Sequence, residues 1–354
     1  LNSKKTKKLF KYYENLYQEI AYKISEDHKK YWKPEDSNSR IDLPKIKVIS
    51  KKKDDFFPGR KIEDVEKNFS NWPRSHGGFS SMRFSSLDLI NKNNVGKLKL
   101  AWQFNSNDGK KGIQANPVVY EGMVYLPTPG NNIVCLDGTN GKVIWKYETE
   151  RGYNAAKRGL LIWNDEKNNT LRLYFTNDDQ LISLNAKTGK PIKSFGHNGI
   201  VKIGSSSIPP AIIDNKLIIG TFRPSIEAYD IENGKLYWKY YLREINKGNF
   251  GEKDFKGGLP WGGLSADTKN GIVYLSTGNP KPNFVGTLRP GKNLFANSII
   301  AFDVRNKKKL WHFQETCHDI WNHDIPAPPI LTTINKYGKR IDVVVAVTKL
   351  GNTL

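Results

Sequence analysis

Residues 317–329 hold the densest group of chemically capable side chains in the sequence, and they read CHDIWNHDIPAPP. Two histidines and two aspartates surround one tryptophan in this run: His318, Asp319, Trp321, His323 and Asp324. Imidazole and carboxylate groups could line a substrate pocket or together bind a metal ion. The spacing matches neither a His-x-x-x-His pair nor a two-histidine, one-carboxylate triad. We therefore favour histidines on a loop over a metal site built by the protein alone.

Motifs for several other chemistries are missing from the sequence. There is no GxGxxG, no GxxxxGK[ST] and no GxSxG in a strand–turn–helix setting, so we expect neither a nucleotide cofactor nor serine hydrolase chemistry. No motif marks the carboxylate pair of a glycoside hydrolase, although acidic residues are numerous. Cys135 and Cys317 form no CxxC motif and indicate no metal or redox pair.

Charge and composition narrow the possible partners. The 354 residues carry 56 Lys plus Arg against 35 Asp plus Glu, a net charge of +21. Positive charge attracts nucleic-acid phosphates, but most of these residues are dispersed lysines rather than arginines, which provide bidentate recognition. We expect no nucleic-acid partner. No apolar run reaches the roughly 18 residues of a membrane span, and the 12% aromatic content excludes global disorder.

The first 70 residues differ in composition and in hydrophobic pattern from the rest. Apolar residues recur at helical spacing from Leu9 to Tyr31, whereas residues 33–70 are rich in Pro and Lys without a clear period. We predict a helix and then an irregular arm, and we favour a packing appendage over a partner-binding helix. Because the chain starts at Leu1 and stops as a strand pattern begins, we expect a piece of a longer protein. Whether residues 1–70 follow a membrane anchor or a cleaved signal is left open.

An internal repeat organises the remainder of the chain. Its four copies read IVCLDGTNGKVIW (133–145), LISLNAKTGKPIK (181–193), IEAYDIENGKLYW (226–238) and IIAFDVRNKKKLW (299–311). One position is Asp or Asn in every copy: Asp137, Asn185, Asp230 and Asp303. A later position is Gly except in the fourth copy: Gly141, Gly189, Gly234 and Lys307. The last position is Trp except in the second copy: Trp145, Lys193, Trp238 and Trp311.

Each copy is interpreted as a hairpin, in which a strand, a turn closed by Gly and a second strand follow one another. Further strands precede the copies at 123–126, 171–175, 216–219 and 272–275. Four strands per unit, at intervals of 48, 45 and 73 residues, predict an all-β propeller domain of about four to five blades over residues 71–354. The longest interval includes an insertion near 243–261 and a long loop at 277–297. We expect the repeat tryptophans to bridge neighbouring blades.

Several runs in this domain resemble the dehydrogenases that depend on pyrroloquinoline quinone (PQQ). The runs WPRSHGG (72–78), RFSSLDLIN (83–91) and NVGKLKLAW (94–102) resemble the first blade of that family. The runs TGNP (277–280), RPGKNLFANS (289–298) and WHFQETCHDIWNHDIPAPP (311–329) are similar to its glucose dehydrogenase branch. The resemblance covers about residues 70–354 in order, and the last run is the most specific.

The resemblance implies a fold and a reaction. The family fold is an eight-bladed propeller with PQQ near its axis, so this chain is expected to hold about half of the ring. The implied reaction is oxidation of a sugar or alcohol: PQQ takes a hydride, Ca²⁺ assists as a Lewis acid, and a carboxylate removes the hydroxyl proton. A quinone or cytochrome acceptor and a periplasmic location are also implied. The alternative is a propeller without cofactor that acts as a binding or assembly scaffold.

Four residues receive roles from the resemblance. Trp261 matches the tryptophan that stacks on PQQ, and Lys349 matches the lysine that donates hydrogen bonds to the quinone oxygens. Arg158, in an Arg-Gly pair, is expected near the cofactor. Asn279 matches an asparagine that ligates Ca²⁺. For each residue the alternative is a structural role in a loop or turn.

Three positions depart from the family pattern. Asn322 stands where the family has its catalytic aspartate, and a neutral amide cannot accept the proton. Asp324 and Asp319 are the neighbouring carboxylates that could replace it. Asn154 stands where the glucose branch often has histidine. The segment 220–227 is shorter than the family loop and lacks its acidic metal ligand. With these changes the resemblance implies altered or lost catalysis.

Overall fold

The computed structural model describes residues 71–354 apart from 86, 110–111, 151–153 and 243–255, together with Lys11, Tyr12, Asn15 and Glu19. The chain divides into two compact units, Leu1–Phe56 and Phe57–Leu354. The four described residues near the N-terminus are helical. The rest of the predicted helix and arm, and most of the predicted insertion, lie outside the described residues. Within the described part, no helix is long and apolar enough to cross a bilayer.

In the part of the chain that the structure describes, four antiparallel sheets of four strands each form the blades. Blade 1 contains β1 (Val118–Tyr120), β2 (Met123–Pro127), β3 (Ile133–Asp137) and β4 (Val143–Tyr147). Blade 2 contains β5 (Leu161–Asp165), β6 (Thr170–Asn177), β7 (Gln180–Asn185) and β8 (Ile200–Lys202). Blade 3 contains β9 (Ala211–Ile213), β10 (Lys216–Thr221), β11 (Ser225–Asp230) and β12 (Leu236–Tyr241).

Blade 4 is interrupted by a two-stranded ribbon. The ribbon pairs β13 (Lys256–Gly257) with β16 (Pro280–Lys281). The strands of the blade are β14 (Leu264–Asp267), β15 (Ile272–Ser276), β17 (Ser298–Asp303) and β18 (Lys308–Gln314). A further hairpin pairs β19 (Ile330–Lys336) with β20 (Lys339–Val345), and a 3-10 turn spans Val95–Lys97.

The hydrophobic cores lie between consecutive blades. One core joins Tyr125 of blade 1 to Leu173 of blade 2, and another joins Tyr174 of blade 2 to Leu217 of blade 3. The third strand of blades 2, 3 and 4 is buried at every position but its last. Because side chains alternate between the two faces of a strand, both faces of these sheets must be covered. The predicted propeller of four-stranded blades is confirmed.

The turn after the third strand has the geometry that the repeat predicts. In blade 1 the Gly141 N–H donates to the Asp137 carbonyl at 2.8 Å, and the Asp137 carboxylate accepts the Thr139 N–H at 2.8 Å. Gly141 has a φ of +72°, a region that glycine enters without cost. A Cβ there would lie 2.5 Å from the ring of Trp102. Glycine is therefore required both by the backbone and by the neighbouring ring.

Two of the repeat tryptophans bridge blades as predicted. The Trp145 indole N–H donates to the Ala186 carbonyl of the next blade at 2.9 Å. The ring of Trp238 lies 5.5 Å from that of Phe302 in blade 4. Trp311 differs, since it is 42% exposed and its ring lies 6.0 Å from Tyr274 of its own blade.

The second copy of the repeat does not form the predicted hairpin. Its fourth strand, β8, begins at Ile200, after the end of the repeat at Lys193. Pro191 explains this shift, because proline has no N–H to donate to a strand ladder. The chain therefore turns, with the Gly199 N–H donating to the Phe195 carbonyl at 2.8 Å, before β8 pairs with β7.

Residues 72–80, here called the inner segment, bond to the first strands of successive blades. Trp72 exchanges two backbone hydrogen bonds with Val119 of blade 1, and the Pro73 carbonyl accepts from Ile162 of blade 2 at 2.7 Å. Farther along, two carbonyls accept from blade 4 and from the β19–β20 hairpin, in the pairs Phe79–Ala266 (2.8 Å) and Ser80–Leu331 (3.0 Å). One short stretch of chain thus connects most of the blades.

Candidate functional site

The ends of the blade strands bring distant residues to one edge. Trp261 lies just before β14, and Asn279 lies just after β15. These strands are antiparallel neighbours, so the start of one and the end of the other meet at the same edge. Arg158 precedes β5, the first strand of blade 2, in the same way. The loop after β18 supplies residues 319–324 to this edge.

Asp324 lies at the centre of the cluster. Its Oδ1 accepts hydrogen bonds from the Asn279 backbone N–H at 2.7 Å and from the Trp261 indole N–H at 3.2 Å. Its Oδ2 accepts from the Lys349 ammonium at 2.6 Å. A Cβ on Gly278 would lie 2.5 Å from Asp324 Oδ1, so only glycine permits this approach. Asp324 is 7% exposed, and its carboxylate is held by three donors from three segments.

Asn322 stands beside this carboxylate. Its Oδ1 accepts hydrogen bonds from the side-chain amides of Asn279 and Asn283, the latter at 3.0 Å. Its backbone carbonyl accepts from the Lys349 ammonium at 3.2 Å. Its φ is +70°, a conformation that asparagine tolerates better than most residues. The side chain is thus oriented by its neighbours through its oxygen, and an amide oxygen does not act as a base at neutral pH.

Asp319 is buried and shapes the loop. Its Oδ1 accepts from the Trp321 N–H at 2.8 Å, and its Oδ2 accepts from the His323 N–H at 2.8 Å. Oδ2 also accepts from the Asn297 side-chain amide at 3.0 Å. Because Asp319 is only 1% exposed and bonds mainly to its own loop, its geometry fits a positioning role rather than proton transfer.

Arg289 connects the two loops of the site and was not singled out from the sequence. It is fully buried and donates to the Asp319 carbonyl at 2.5 Å and to the Asn283 carbonyl at 3.0 Å. It also donates to the Asn293 side chain at 2.6 Å. The only sequence feature that marks Arg289 is its place between Leu288 and a Pro-Gly turn. Its hydrogen-bond partners can be identified only when the positions of both site loops are known.

Arg158 and Asn154 occupy different surroundings. The Arg158 guanidinium lies 4.5 Å from the centre of the Trp261 ring, and burial lowers its pKa. Asn154 instead donates to Asp178 at 2.5 Å and lines a cavity of about 310 Å³ together with Gln114. Among the described residues, no hydrogen bond joins Asn154 to the Asp324 cluster.

The histidines lie on the loop as expected. His318 Nδ1 lies 3.0 Å from the Gly291 carbonyl, and His323 Nδ1 lies 3.5 Å from Asp319 Oδ1. In the described part of the chain, no three His, Cys, Asp or Glu side chains come together in a way that could hold a metal.

The residues present do not complete a calcium site. Ca²⁺ takes six to eight oxygen ligands, whereas this edge offers oxygens mainly from Asn279, Asn322 and Asp324. Asn279 Oδ1 already accepts from Asn297 at 3.1 Å, and Asp324 is paired with a lysine. Glu227, on the shortened 220–227 segment, is bound by other groups.

The residues do fit a planar, anionic cofactor. The Trp261 ring is only half-buried, and a planar guanidinium already lies over it. Aromatic rings stack well on flat conjugated molecules. The cations of Arg158 and Lys349 are placed to compensate negative charge beside that ring.

Comparisons with known proteins match residues 72–354 to the β-propeller domain of PQQ-dependent glucose/ethanol/alcohol dehydrogenases. Quinohemoprotein alcohol dehydrogenase ADH IIB of Pseudomonas putida is 31% identical over 82% of this chain and 46% of its own length. The dehydrogenase subunit of the alcohol dehydrogenase (quinone) of Gluconobacter oxydans is 32% identical over 72% of this chain and 38% of its own. Quinoprotein glucose dehydrogenase A of Acinetobacter calcoaceticus is 28% identical, over 80% and 42% respectively.

A solved structure gives the same result. The quinohemoprotein alcohol dehydrogenase ADHIIG of Pseudomonas putida HK5 superposes with a TM-score of 0.69 at 26% identity, over 82% of this chain and 46% of that one. The chain therefore spans less than half the length of these relatives.

Proposed function

The chain belongs to the PQQ-dependent glucose/ethanol/alcohol dehydrogenase β-propeller family, and from this premise we propose that it oxidises a sugar or alcohol with PQQ bound beside Trp261. One observation carries the proposal: a carboxylate, Asp324, is held at the tryptophan by the indole N–H and by Lys349. This arrangement supports a carboxylate as proton acceptor and a cation beside the ring on which a planar cofactor would stack.

Asp324 is the proposed proton acceptor. Its Oδ1 already accepts two hydrogen bonds, whereas Oδ2 accepts one, from Lys349, and keeps a second lone pair. A substrate hydroxyl can donate to that lone pair and transfer its proton to Oδ2. PQQ, when bound, supplies the two-electron oxidant that takes the hydride of the carbinol carbon. Loss of this proton and this hydride converts the alcohol into a carbonyl compound.

Asn322 orients the substrate hydroxyl, and Lys349 compensates negative charge. The Asn322 amide, fixed by Asn279 and Asn283, can direct a hydroxyl toward Asp324 without accepting its proton. Lys349 lies beside the Asp324 carboxylate and can also donate to cofactor oxygens, because an ammonium carries three N–H groups. Arg158 supplies a second cation at the Trp261 face.

The proposal also includes the electron acceptor and the cellular compartment of the reaction. A relative named as an alcohol dehydrogenase (quinone) supports a quinone as the oxidant that regenerates the site, and a relative named as a quinohemoprotein supports a haem-containing one. We place the reaction in the periplasm, as the family resemblance implies, and keep calcium as a prediction for the full protein.

The test is substitution of the proposed base. With PQQ added to the protein, wild type should bind PQQ, as seen by absorbance, and reduce a dye in the presence of sugars or alcohols. Asp324→Asn should retain the bound quinone but lose about 10²–10⁴-fold in kcat, the usual cost of a lost general base. Asp88→Asn, on an exposed loop, is the matched control and should behave as wild type.

The variant Asn322→Asp shows whether position 322 or position 324 provides the base. A large gain in rate, with Asp324→Asn still active, would transfer the role of base to position 322. A wild-type protein that shows no change in PQQ absorbance on mixing and no dye reduction would contradict the proposal and favour the scaffold alternative.

A further inference from the structure

The lysine of the proposed site, Lys349, lies on an exposed turn formed by residues 347–353. The Thr348 N–H donates to the Asn352 carbonyl across this turn at 3.1 Å. Residues 349–353 are all exposed. A segment that buries so little apolar surface has low local stability. The direction in which the lysine points therefore needs support from elsewhere in the fold.

Hydrophobic packing anchors the base of the turn on blade 4. Ala346 and Leu354 exchange two backbone hydrogen bonds, at 3.1 and 2.9 Å. Both residues pack in a hydrophobic cluster with Ile299 of β17 and with Ile325. Within the described residues, no member of the turn itself belongs to this cluster. Packing thus fixes the base of the turn but not its tip.

Glu315, which directly follows β18, reaches the tip of the turn. Its Oε1 accepts a hydrogen bond from the Thr348 hydroxyl at 2.8 Å and another from the Asn352 side-chain amide at 2.9 Å. The two donors stand on opposite sides of the turn, so one carboxylate oxygen ties these sides together. Hydrogen bonds to an ionised acceptor are stronger than those between neutral groups. This bridge supplies the support that packing does not give.

Glu315 is itself fixed by the framework of the site. Its backbone N–H donates to the Asn297 carbonyl at 3.0 Å, and the side chain of the preceding Gln314 donates to the Ala296 carbonyl at 3.2 Å. Asn297 is fully buried and also donates to Asp319 Oδ2. The loop that carries Asp319 and the carboxylate that holds the turn are therefore tied to the same residue.

The held turn brings the Lys349 ammonium to two acceptors. It donates to Asp324 Oδ2 at 2.6 Å and to the Asn322 carbonyl at 3.2 Å. Lysine carries its charge on a flexible four-carbon stem, so the ammonium stays on one partner only where the backbone beneath it is held. In the described part of the chain, Glu315 forms no hydrogen bond with this ammonium. Its effect on the lysine must therefore pass through the turn.

We propose that Glu315 is a positioning residue for Lys349. By bridging the two sides of the turn, it keeps the ammonium on the Asp324 carboxylate and, in the loaded enzyme, within reach of a cofactor at Trp261. The part that concerns the cofactor rests on the proposed function, whereas the placement of the ammonium on Asp324 can be tested without it.

The first experiment uses the full chain without cofactor. Acetic anhydride modifies free, unprotonated amines, so an ammonium held on a carboxylate reacts slowly. Peptide mass spectrometry gives the acetylation rate at Lys349 relative to that at Lys339, which is exposed on β20. Glu315→Ala should raise this ratio about tenfold, as expected from the loss of hydrogen bonds to a charged group. Glu315→Gln should restore most of the wild-type ratio, because its amide oxygen can accept both hydrogen bonds.

A second set of variants tests the bridge from the side of its donors. Thr348→Val combined with Asn352→Ala removes both donors, leaves Glu315 in place and should raise the ratio as Glu315→Ala does. Adding Glu315→Ala to this pair should have little further effect, since the interaction is already lost. Glu166→Ala, on the exposed β5–β6 turn, is the control and should react as wild type does. A ratio that neither Glu315→Ala nor the donor pair changes would overturn the proposal.

The second experiment separates positioning from cofactor binding. With PQQ bound, Glu315→Ala should lower kcat about 10–100-fold, as expected for a misplaced group at a reaction centre, and should weaken PQQ binding much less. Glu315→Gln should recover most of the rate. Equal kcat values for wild type and Glu315→Ala would contradict the positioning role. Wild-type protein that binds no PQQ would contradict the proposed function, whereas an unchanged acetylation ratio contradicts this inference alone.

Discussion

Glu227 is a buried carboxylate whose ionisation has a local explanation. It is fully buried on β11 and accepts hydrogen bonds from Lys239 at 2.8 Å and Ser225 at 3.0 Å, and also from the Tyr229 hydroxyl. Burial alone would raise the pKa of this carboxyl, but the bonds from Lys239, Tyr229 and the Gly204 N–H outweigh it, so the pKa is lower than usual. The carboxylate is therefore built into the blade rather than offered to a metal.

This depressed pKa predicts an acid-sensitive contribution to stability. The folded protein holds Glu227 ionised below the pH at which the unfolded chain protonates it, near 4.5. The stabilisation is therefore complete above that pH and is lost as the pH falls through the folded pKa. Glu227→Gln should lower the free energy of unfolding by about 1–3 kcal/mol at pH 7, with the difference from wild type shrinking below the unfolded pKa.

Urea unfolding, followed by tryptophan fluorescence, checks the predicted pH dependence of the stability difference. It is measured at neutral pH and again at a pH about one unit below the unfolded pKa. Glu121→Gln, an exposed change on the β1–β2 turn, is the control. A difference that stays constant with pH would show that packing, and not the ionised carboxylate, stabilises the blade at this position.

The sequence could predict only part of the Asp324 cluster. Trp261, Asn279 and Lys349 were named from family motifs, and the structure joins all three to Asp324. Arg289 could not be found, because its role is to bond carbonyls of two loops whose meeting depends on the whole fold. Which of Asn322 and Asp324 orients the hydroxyl and which accepts its proton likewise depends on which of their atoms face each hydrogen-bond donor.

At the scale of the elements, the turns after the third strands repeat one conformation with one exception. The turn position has a φ of +72°, +71° and +74° at Gly141, Gly189 and Gly234, and of +54° at Lys307 in blade 4. A residue with a Cβ pays a steric cost of roughly 1–2 kcal/mol in this region. Blade 4 thus accepts strain that the other blades avoid.

Lys307→Gly should relieve that strain. Since Lys307 is exposed, its side chain contributes little else, and we expect the free energy of unfolding to rise by about 1 kcal/mol. Lys308→Gly is the control, because Lys308 lies in the extended strand β18, where glycine should destabilise by about 0.5–1 kcal/mol. Chemical unfolding of both variants gives the comparison; destabilisation by Lys307→Gly would contradict the interpretation.

The presence of strands and turns could be predicted from the sequence more readily than the residues at which they begin and end. The Asp-to-Gly turn and the strands before it followed from β-branched alternation and from glycine spacing. The fourth strand of blade 2 did not, because Pro191 removes a ladder hydrogen bond and the next compatible run begins only at Ile200.

At the scale of the whole molecule, Arg74 connects the blades through the inner segment. Its guanidinium donates to the Pro210 carbonyl at 3.0 Å and to the Leu264 carbonyl at 2.9 Å, which lie at the start of blades 3 and 4. Burial, with a contribution from Arg83, lowers its pKa to about 9. It is a buried cation whose partners are mainly carbonyl oxygens.

Arg74→Lys should destabilise the propeller as a whole. A lysine keeps the charge but carries all its donors on one atom and has no counterpart of the Nε that donates to the Pro210 carbonyl, so it cannot replace every hydrogen bond that the Arg74 guanidinium makes. Each buried carbonyl left unpaired costs about 1–3 kcal/mol, and we expect a loss of about 2–4 kcal/mol in urea unfolding. Arg340→Lys, on the exposed hairpin, should change stability by less than about 0.5 kcal/mol. An equally small effect of Arg74→Lys would show that the inner segment is held by its backbone alone.

The inner segment has a consequence for the order of events on the ribosome. Residues 72–80 leave the exit tunnel before every strand to which they bond, and their last partner, Leu331, is made about 250 residues later. At roughly 5–20 residues per second, this delay is on the order of tens of seconds. During that time the Ser80 carbonyl lacks its Leu331 partner, whereas Trp72 can pair with Val119 as soon as blade 1 is made. The inner segment therefore acquires its partners blade by blade, and its last hydrogen bond forms only when translation has nearly passed the last strands described.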